Sequence, residues 1–167
     1  DLSKLLHRDA KYLDVAEVAL YNNALAGMNF AGDRFFYVNP LAADGTRPFN
    51  HGHAGRAPWF GTACCPTNLA RLVPQAPGMI FASDDAGLYL GLYAASRTTL
   101  TLGGVPTEVI EETTYPYDGR VTVSLRPERP ATFAVRLRIP TWTSDRFVPG
   151  ELYRYAAGAK ASPVELQ

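Results

Sequence analysis

Two cysteines stand side by side in the run Trp59-Phe60-Gly61-Thr62-Ala63-Cys64-Cys65-Pro66-Thr67-Asn68, and of all residues in the chain they are best suited to chemistry. Adjacent cysteines make no useful framework disulfide, because a vicinal bridge closes a strained ring and constrains no loop. Reduced thiols for metal binding or catalysis remain, against an inert buried pair. Pro66 suits the first turn of a helix, where its missing N–H costs nothing. Both sulfurs then sit at a helix N-terminus, where unpaired amides and the helix dipole favour negative charge and lower a thiol pKa. Two thiolates this close repel unless a cation stands beside them. Zinc is the natural candidate, since it binds thiolate well and needs no redox change. A zinc shell usually wants four ligands. His51 and His53, in His51-Gly52-His53, could complete a Cys2His2 set, but their spacing fits no metal motif and loop histidines are more often simply solvated. The alternative is that the other ligands come from upstream of this chain.

The elements that must position these thiols follow from periodicity. Residues 9–26 carry Leu13, Ala16, Leu20 and Ala24 at helical spacing, with Asp9 as N-cap and Gly27 as the stop. Leu2, Leu5 and Leu6 suggest the end of an earlier helix joined through His7-Arg8, giving a helical hairpin that needs packing partners from elsewhere. The opening Asp1-Leu2-Ser3 is therefore expected to lie inside a larger structure. Gly32-Asp33 reads as a turn into a short strand, Phe35 to Val38, ended by Asn39-Pro40. Residues 41–58 form a long loop rich in Gly, Pro, Asn, Asp and His, a kind that is usually functional or disordered. A short helix after Pro66 is expected to stop before Pro74. From about Gly78 strands take over: 79–83 and 88–94 flank a turn at Asp84-Asp85-Ala86-Gly87. Val121, Val123 and Leu125, then Phe133, Val135, Leu137 and Ile139, alternate with polar residues. Strands at this spacing argue an antiparallel β-sandwich. The expected class is α+β, with domains 1–76 and 77–167.

Composition bounds the function. Lys plus Arg and Asp plus Glu both count 16, so no net charge draws the chain to nucleic acid or an anionic membrane. No apolar run approaches the 18 or so residues that a membrane span needs. With 47% hydrophobic and 19% charged residues the chain can bury a core. Glu17 belongs to the first helix, and Glu111-Glu112 read as a solvated face in strand-like sequence.

The ordered runs Asp9-Ala10-Lys11-Tyr12-Leu13-Asp14-Val15, Ala19-Leu20-Tyr21-Asn22, Phe35-Phe36-Tyr37-Val38-Asn39-Pro40-Leu41, Trp59 to Pro66 and Asn68-Leu69-Ala70-Arg71 resemble glycoside hydrolase family 127, the β-L-arabinofuranosidase family. The resemblance covers residues 9–72, and the strand-rich remainder suits the family's C-terminal β-domain. It implies the last helices of an (α/α)6 barrel followed by a β-sandwich. It also implies a retaining hydrolase in which Cys64 is the nucleophile, Cys64 and Cys65 bind zinc, and Tyr37 lies near the substrate. A packed strand aromatic is the competing reading of Tyr37. Many members carry another Cys where this chain has Thr62. The family's acid/base Glu and its other zinc ligands, a Glu and a Cys in a Glu-x-Cys segment, precede the matched stretch, so the chain is expected to need the N-terminal part of the same enzyme. The implied partner is an arabinofuranoside-type glycan. Two readings from other classes stand beside this one. One is a carbohydrate-binding module built on the strands alone; the other is a redox or structural metal module using Cys64, Cys65, His51 and His53.

Overall fold

The computed structural model describes residues 9–144, 146–156 and 163–167. The helix expected at Leu2 to Leu6 lies outside them. The chain divides into two units, one of residues 15–76 and one of the residues up to Asp14 together with Pro77–Gln167. The helix α1, Lys11–Ala19, runs across that division.

Helix α1 starts as its sequence suggests. The Asp9 carboxylate accepts the Lys11 N–H at 3.0 Å and satisfies one of the unpaired amides of the first turn. It does not run evenly to residue 26. The path widens to a π-turn at Leu20–Ala24 and tightens to a 3-10 turn at Leu25–Gly27 before Met28 becomes extended. The Asn22 side chain donates back to the Val18 carbonyl at 3.2 Å within this stretch, the competition with backbone bonding that makes Asn a poor helix-interior residue. Gly27 closes the path because a Cβ there would meet Leu69 Cδ1 at 2.8 Å.

The stretch after Gly32 is not a strand. Phe35 makes isolated bridges to Met28 and Ala57, exchanging both backbone hydrogen bonds with Ala57 at 2.8 and 2.9 Å. The aromatic run is apolar enough to pair, but its neighbours are loops, so no ladder propagates. Phe35, Ala57 and Phe60 form the core of this unit, with Met28, Tyr37 and Leu69 packed on it. The second helix, α2, spans Cys64–Gln75 and continues through Pro74, where a stop was expected. So close to the C-terminus, Pro74 removes one N–H donor, and Ala76 N–H still reaches the Leu72 and Val73 carbonyls.

The other unit holds two three-stranded sheets. Strands β1 (Phe81–Asp84) and β2 (Gly87–Leu90) form the expected hairpin, and β6 (Ala134–Leu137) lies beside β2. Strands β3 (Ser96–Leu102), β4 (Val105–Thr113) and β5 (Val121–Pro127) form an antiparallel meander. The antiparallel expectation fails at β2 and β6, which pair parallel. All of β3 to β5 intervenes, and a connection that long can return a strand in either direction. Gly87 permits the close pairing, since a Cβ there would lie 2.1 Å from the Ala134 carbonyl oxygen. Leu88, Leu90, Tyr93, Leu102 and Val109 form a buried cluster that Val121, Val123, Leu125, Phe133 and Leu137 pack against, so both sheets contribute to one core. Glu111 is not on a solvated face: it is 1% exposed, while Glu112 is exposed. Strict alternation along β4 turns residues 105, 107, 109 and 111 inward, and the acid goes with them. No helix among the described residues is long and apolar enough to cross a membrane.

Candidate active site

Helix α2 begins at Cys64 itself, with Ala63 as its N-cap. Cys64, Cys65 and Pro66 are thus the first three helical residues, and Pro66 gives up an N–H that had no intrahelical partner. Its ring is fully buried and anchors the turn. Thr67 Oγ1 donates to the Ala63 carbonyl at 2.7 Å and lies 2.9 Å from that of Cys64, and Asn68 Nδ2 donates to the Cys64 carbonyl at 2.8 Å. Residues 63–68 therefore hold their own geometry. Both cysteines are free; Cys64 is exposed and Cys65 half-buried.

Two groups meet at the Cys64 sulfur. The Tyr37 hydroxyl lies 3.1 Å from it and the Cys65 sulfur 3.6 Å. The Tyr37 hydrogen bond, followed by that of Cys65, pulls the Cys64 thiol below its ordinary pKa, and the Cys64 and Cys65 backbone amides at the helix start add to this. The same bonds push the Tyr37 phenol and the Cys65 thiol up. The balance of these effects favours ionisation at Cys64 over Cys65 and Tyr37.

The donor set also fits zinc as part of a site. Two thiolates on a tetrahedral zinc, at about 2.3 Å each, stand about 3.8 Å apart, close to the separation found here. Among the described residues no group of three or more His, Cys, Asp or Glu side chains could hold a metal. The chain thus does not gather His51 and His53 with the thiols into a Cys2His2 centre. His51 instead packs its ring on Tyr37, with centroids 4.2 Å apart, and on Phe60 at 5.5 Å.

Asn50 was not singled out by sequence reasoning, yet it organises this face. It is wholly buried. Its Oδ1 accepts the N–H groups of Tyr37 at 2.7 Å and Val38 at 3.3 Å, and its Nδ2 donates to the carbonyls of Phe35 at 3.2 Å and Gly55 at 2.9 Å. An asparagine in a Gly- and Pro-rich loop looks like a turn former, and only the folded path of the loop reveals the four partners. Arg56, also unremarked, donates two bonds to the Ala26 carbonyl and stacks on Phe36.

The family model for the β-L-arabinofuranosidase GH127 catalytic domain matches residues 4–78, and that for the GH127 middle domain matches residues 87–161. The chain belongs to glycoside hydrolase family 127. A curated relative, a non-reducing end β-L-arabinofuranosidase from Bifidobacterium longum, is 35% identical over an alignment of 147 positions that covers 83% of this chain and 22% of that protein. A solved GH127 β-arabinofuranosidase superposes with a TM-score of 0.79 at 38% identity, covering 94% of this chain and 24% of the other. The crystal structure of a GH127 β-L-arabinofuranosidase from Geobacillus stearothermophilus T6 superposes with a TM-score of 0.71 at 37% identity, over 84% and 23% of the two chains. The chain thus spans less than a quarter of the length of these GH127 relatives. The thiol pair and Tyr37 fall in the part matched to the catalytic domain.

Proposed function

We propose that this chain is part of a retaining glycoside hydrolase that releases β-L-arabinofuranose or a related sugar, with the Cys64 sulfur as nucleophile. The observation that carries the reading is the exposed Cys64 sulfur at the start of α2, with the Tyr37 hydroxyl at 3.1 Å and the Cys65 sulfur at 3.6 Å lowering its pKa. A thiolate so placed can attack an anomeric carbon from the side opposite the leaving oxygen, which takes its proton from an acid outside this chain. Water then attacks the same carbon from the face opposite the sulfur, giving its proton to the conjugate base of that acid, and the carbon–sulfur bond breaks with its electron pair returning to Cys64. Two inversions give net retention, the double-displacement logic of two-carboxylate glycosidases with sulfur in place of one carboxylate.

As the sulfur bonds to carbon its charge disappears, and the Tyr37 hydroxyl loses the anion it was donating to. That hydroxyl regains its partner as the thiolate leaves, so it favours the second half of the reaction. Cys64 and Cys65 would hold zinc together with ligands from the rest of the protein, and bound zinc would make the thiolate a better leaving group. The arrangement suits the end of an (α/α)6 barrel carrying the site, followed by a β-sandwich.

The test uses the complete protein. It should hydrolyse an aryl β-L-arabinofuranoside with retention at the anomeric carbon, and Cys64→Ser should abolish turnover. The present chain alone should be inactive. Full activity in Cys64→Ser would remove the nucleophile assignment.

A further inference from the structure

The loop that faces the thiols contains one backbone feature that packing does not require. His51 has φ +51° and is the only non-glycine residue among those described with positive φ; Gly52 follows at +87°. The turn is closed at both ends, with His53 N–H donating to the Asn50 carbonyl at 3.1 Å and Asn50 N–H to the His53 carbonyl at 3.0 Å. Left-handed conformations at both central positions define a type I′ turn, for which Asn, Asp or Gly is preferred at the position His51 occupies. A strained residue kept at such a place points towards function. Its side chain is exposed, so burial of the ring does not explain it. What the turn does accomplish is to bring the imidazole onto Tyr37, and Phe60 meets both rings at centroid distances of 5.5 Å. Asn50, at the base of the same turn, fixes the Tyr37 backbone.

We propose that His51 is a positioning residue for the thiol site: the strained Asn50–His53 turn presses its ring against Tyr37 and so keeps the phenol hydroxyl on the Cys64 sulfur. This rests on the function proposed above. The phenol is held by its backbone through Asn50, by one ring contact through Phe60 and by another through His51. Only the His51 contact comes from an exposed residue in an unfavourable conformation. His51 supplies no proton in this scheme and need not touch the substrate.

The test compares His51→Gly, Tyr37→Phe and the double variant in the complete protein, reading kcat, KM and the thermal midpoint. His51→Gly relieves the left-handed strain, so the midpoint should hold or rise while kcat falls about tenfold and KM changes less than about twofold. His51→Asn, which also tolerates the turn, should behave alike. In the Tyr37→Phe background, loss of His51 should change kcat by less than about twofold. Unchanged kcat in His51→Gly overturns the proposal, and so does an undiminished loss in the Tyr37→Phe background or a kcat loss that tracks a lowered midpoint. A wild-type protein without glycosidase activity overturns the proposed function instead. Positioning is then judged by the alkylation rate of Cys64 at one fixed pH: slowing by both His51→Gly and Tyr37→Phe supports it, and no effect of His51→Gly overturns it.

Discussion

At the scale of single residues, Cys64 and Cys65 differ although they are neighbours with the same side chain. The difference comes from Tyr37, whose hydroxyl reaches only the Cys64 sulfur and is the largest cause of its lowered pKa. Tyr37→Phe deletes that donor and leaves the ring contacts. The Cys64 thiol should then titrate at higher pH, so the pH profile of its alkylation by iodoacetamide in metal-free protein should move upward and the rate near pH 7 should fall. Mass spectrometry would confirm that Cys64 is the modified thiol. An unmoved profile would show that the phenol does not set the thiolate. The thiols were legible in the sequence because Cys-Cys-Pro combines rare residues with a residue tied to first helical turns. Tyr37 was legible only through family resemblance, and Asn50 not at all. Its value lies in four backbone partners that lie 5 to 15 residues away in sequence.

At the scale of elements, alternation located β5 and the region of β6 but did not single out β3. Its sequence Ser96-Arg97-Thr98-Thr99-Leu100-Thr101-Leu102 is mostly polar and becomes a strand by pairing with β4 rather than by its own apolar face. Alternation also hid the fate of Glu111, because an acid beside a second acid reads as solvent-facing. In β4 its Oε1 accepts the Ala94 N–H at 3.1 Å while its Oε2 is buried without a partner, and burial pushes its pKa from 4.5 to about 7. The direction of the stability effect follows from which state holds the proton. Below about pH 4.5 the carboxyl is protonated in both states and its contribution is fully present. Between 4.5 and 7 the unfolded chain ionises first, so stability falls by on the order of 3 kcal/mol and then levels off. Glu111→Gln should remove this slope. Urea midpoints at pH 5 and pH 8 should converge in the variant relative to wild type, and parallel pH dependences would show that Glu111 ionises normally.

At the scale of the whole molecule, the unit that carries both sheets also takes in Asp14 of α1. A division at 76/77 in sequence therefore separates two groups that the fold joins. Arg138 Nη1 meets Asp14 Oδ1 at 2.6 Å with both side chains buried, Arg138 Nε donates to the Gly91 carbonyl, and Thr141 Oγ1 donates to Asp14 Oδ2. The Tyr93 hydroxyl donates to the Arg138 carbonyl. No local pattern announces such a pair across 124 residues, and Arg138 in sequence is only the polar member of an alternating run. A buried ion pair contributes little net stability over an apolar replacement, but removing one partner of such a pair costs about 3 to 5 kcal/mol. Asp14→Ala should therefore lower the unfolding free energy by that amount. Asp14→Ala combined with Arg138→Met should recover most of it, because neither charge of the pair then stays buried. Denaturant melts of the two variants decide the matter. If the double variant is as unstable as the single one, the loss comes from the Thr141 and Gly91 bonds rather than from the broken charge pair, and the segment around Asp14 is joined to the sheets by hydrogen bonds, with the charge pair contributing little.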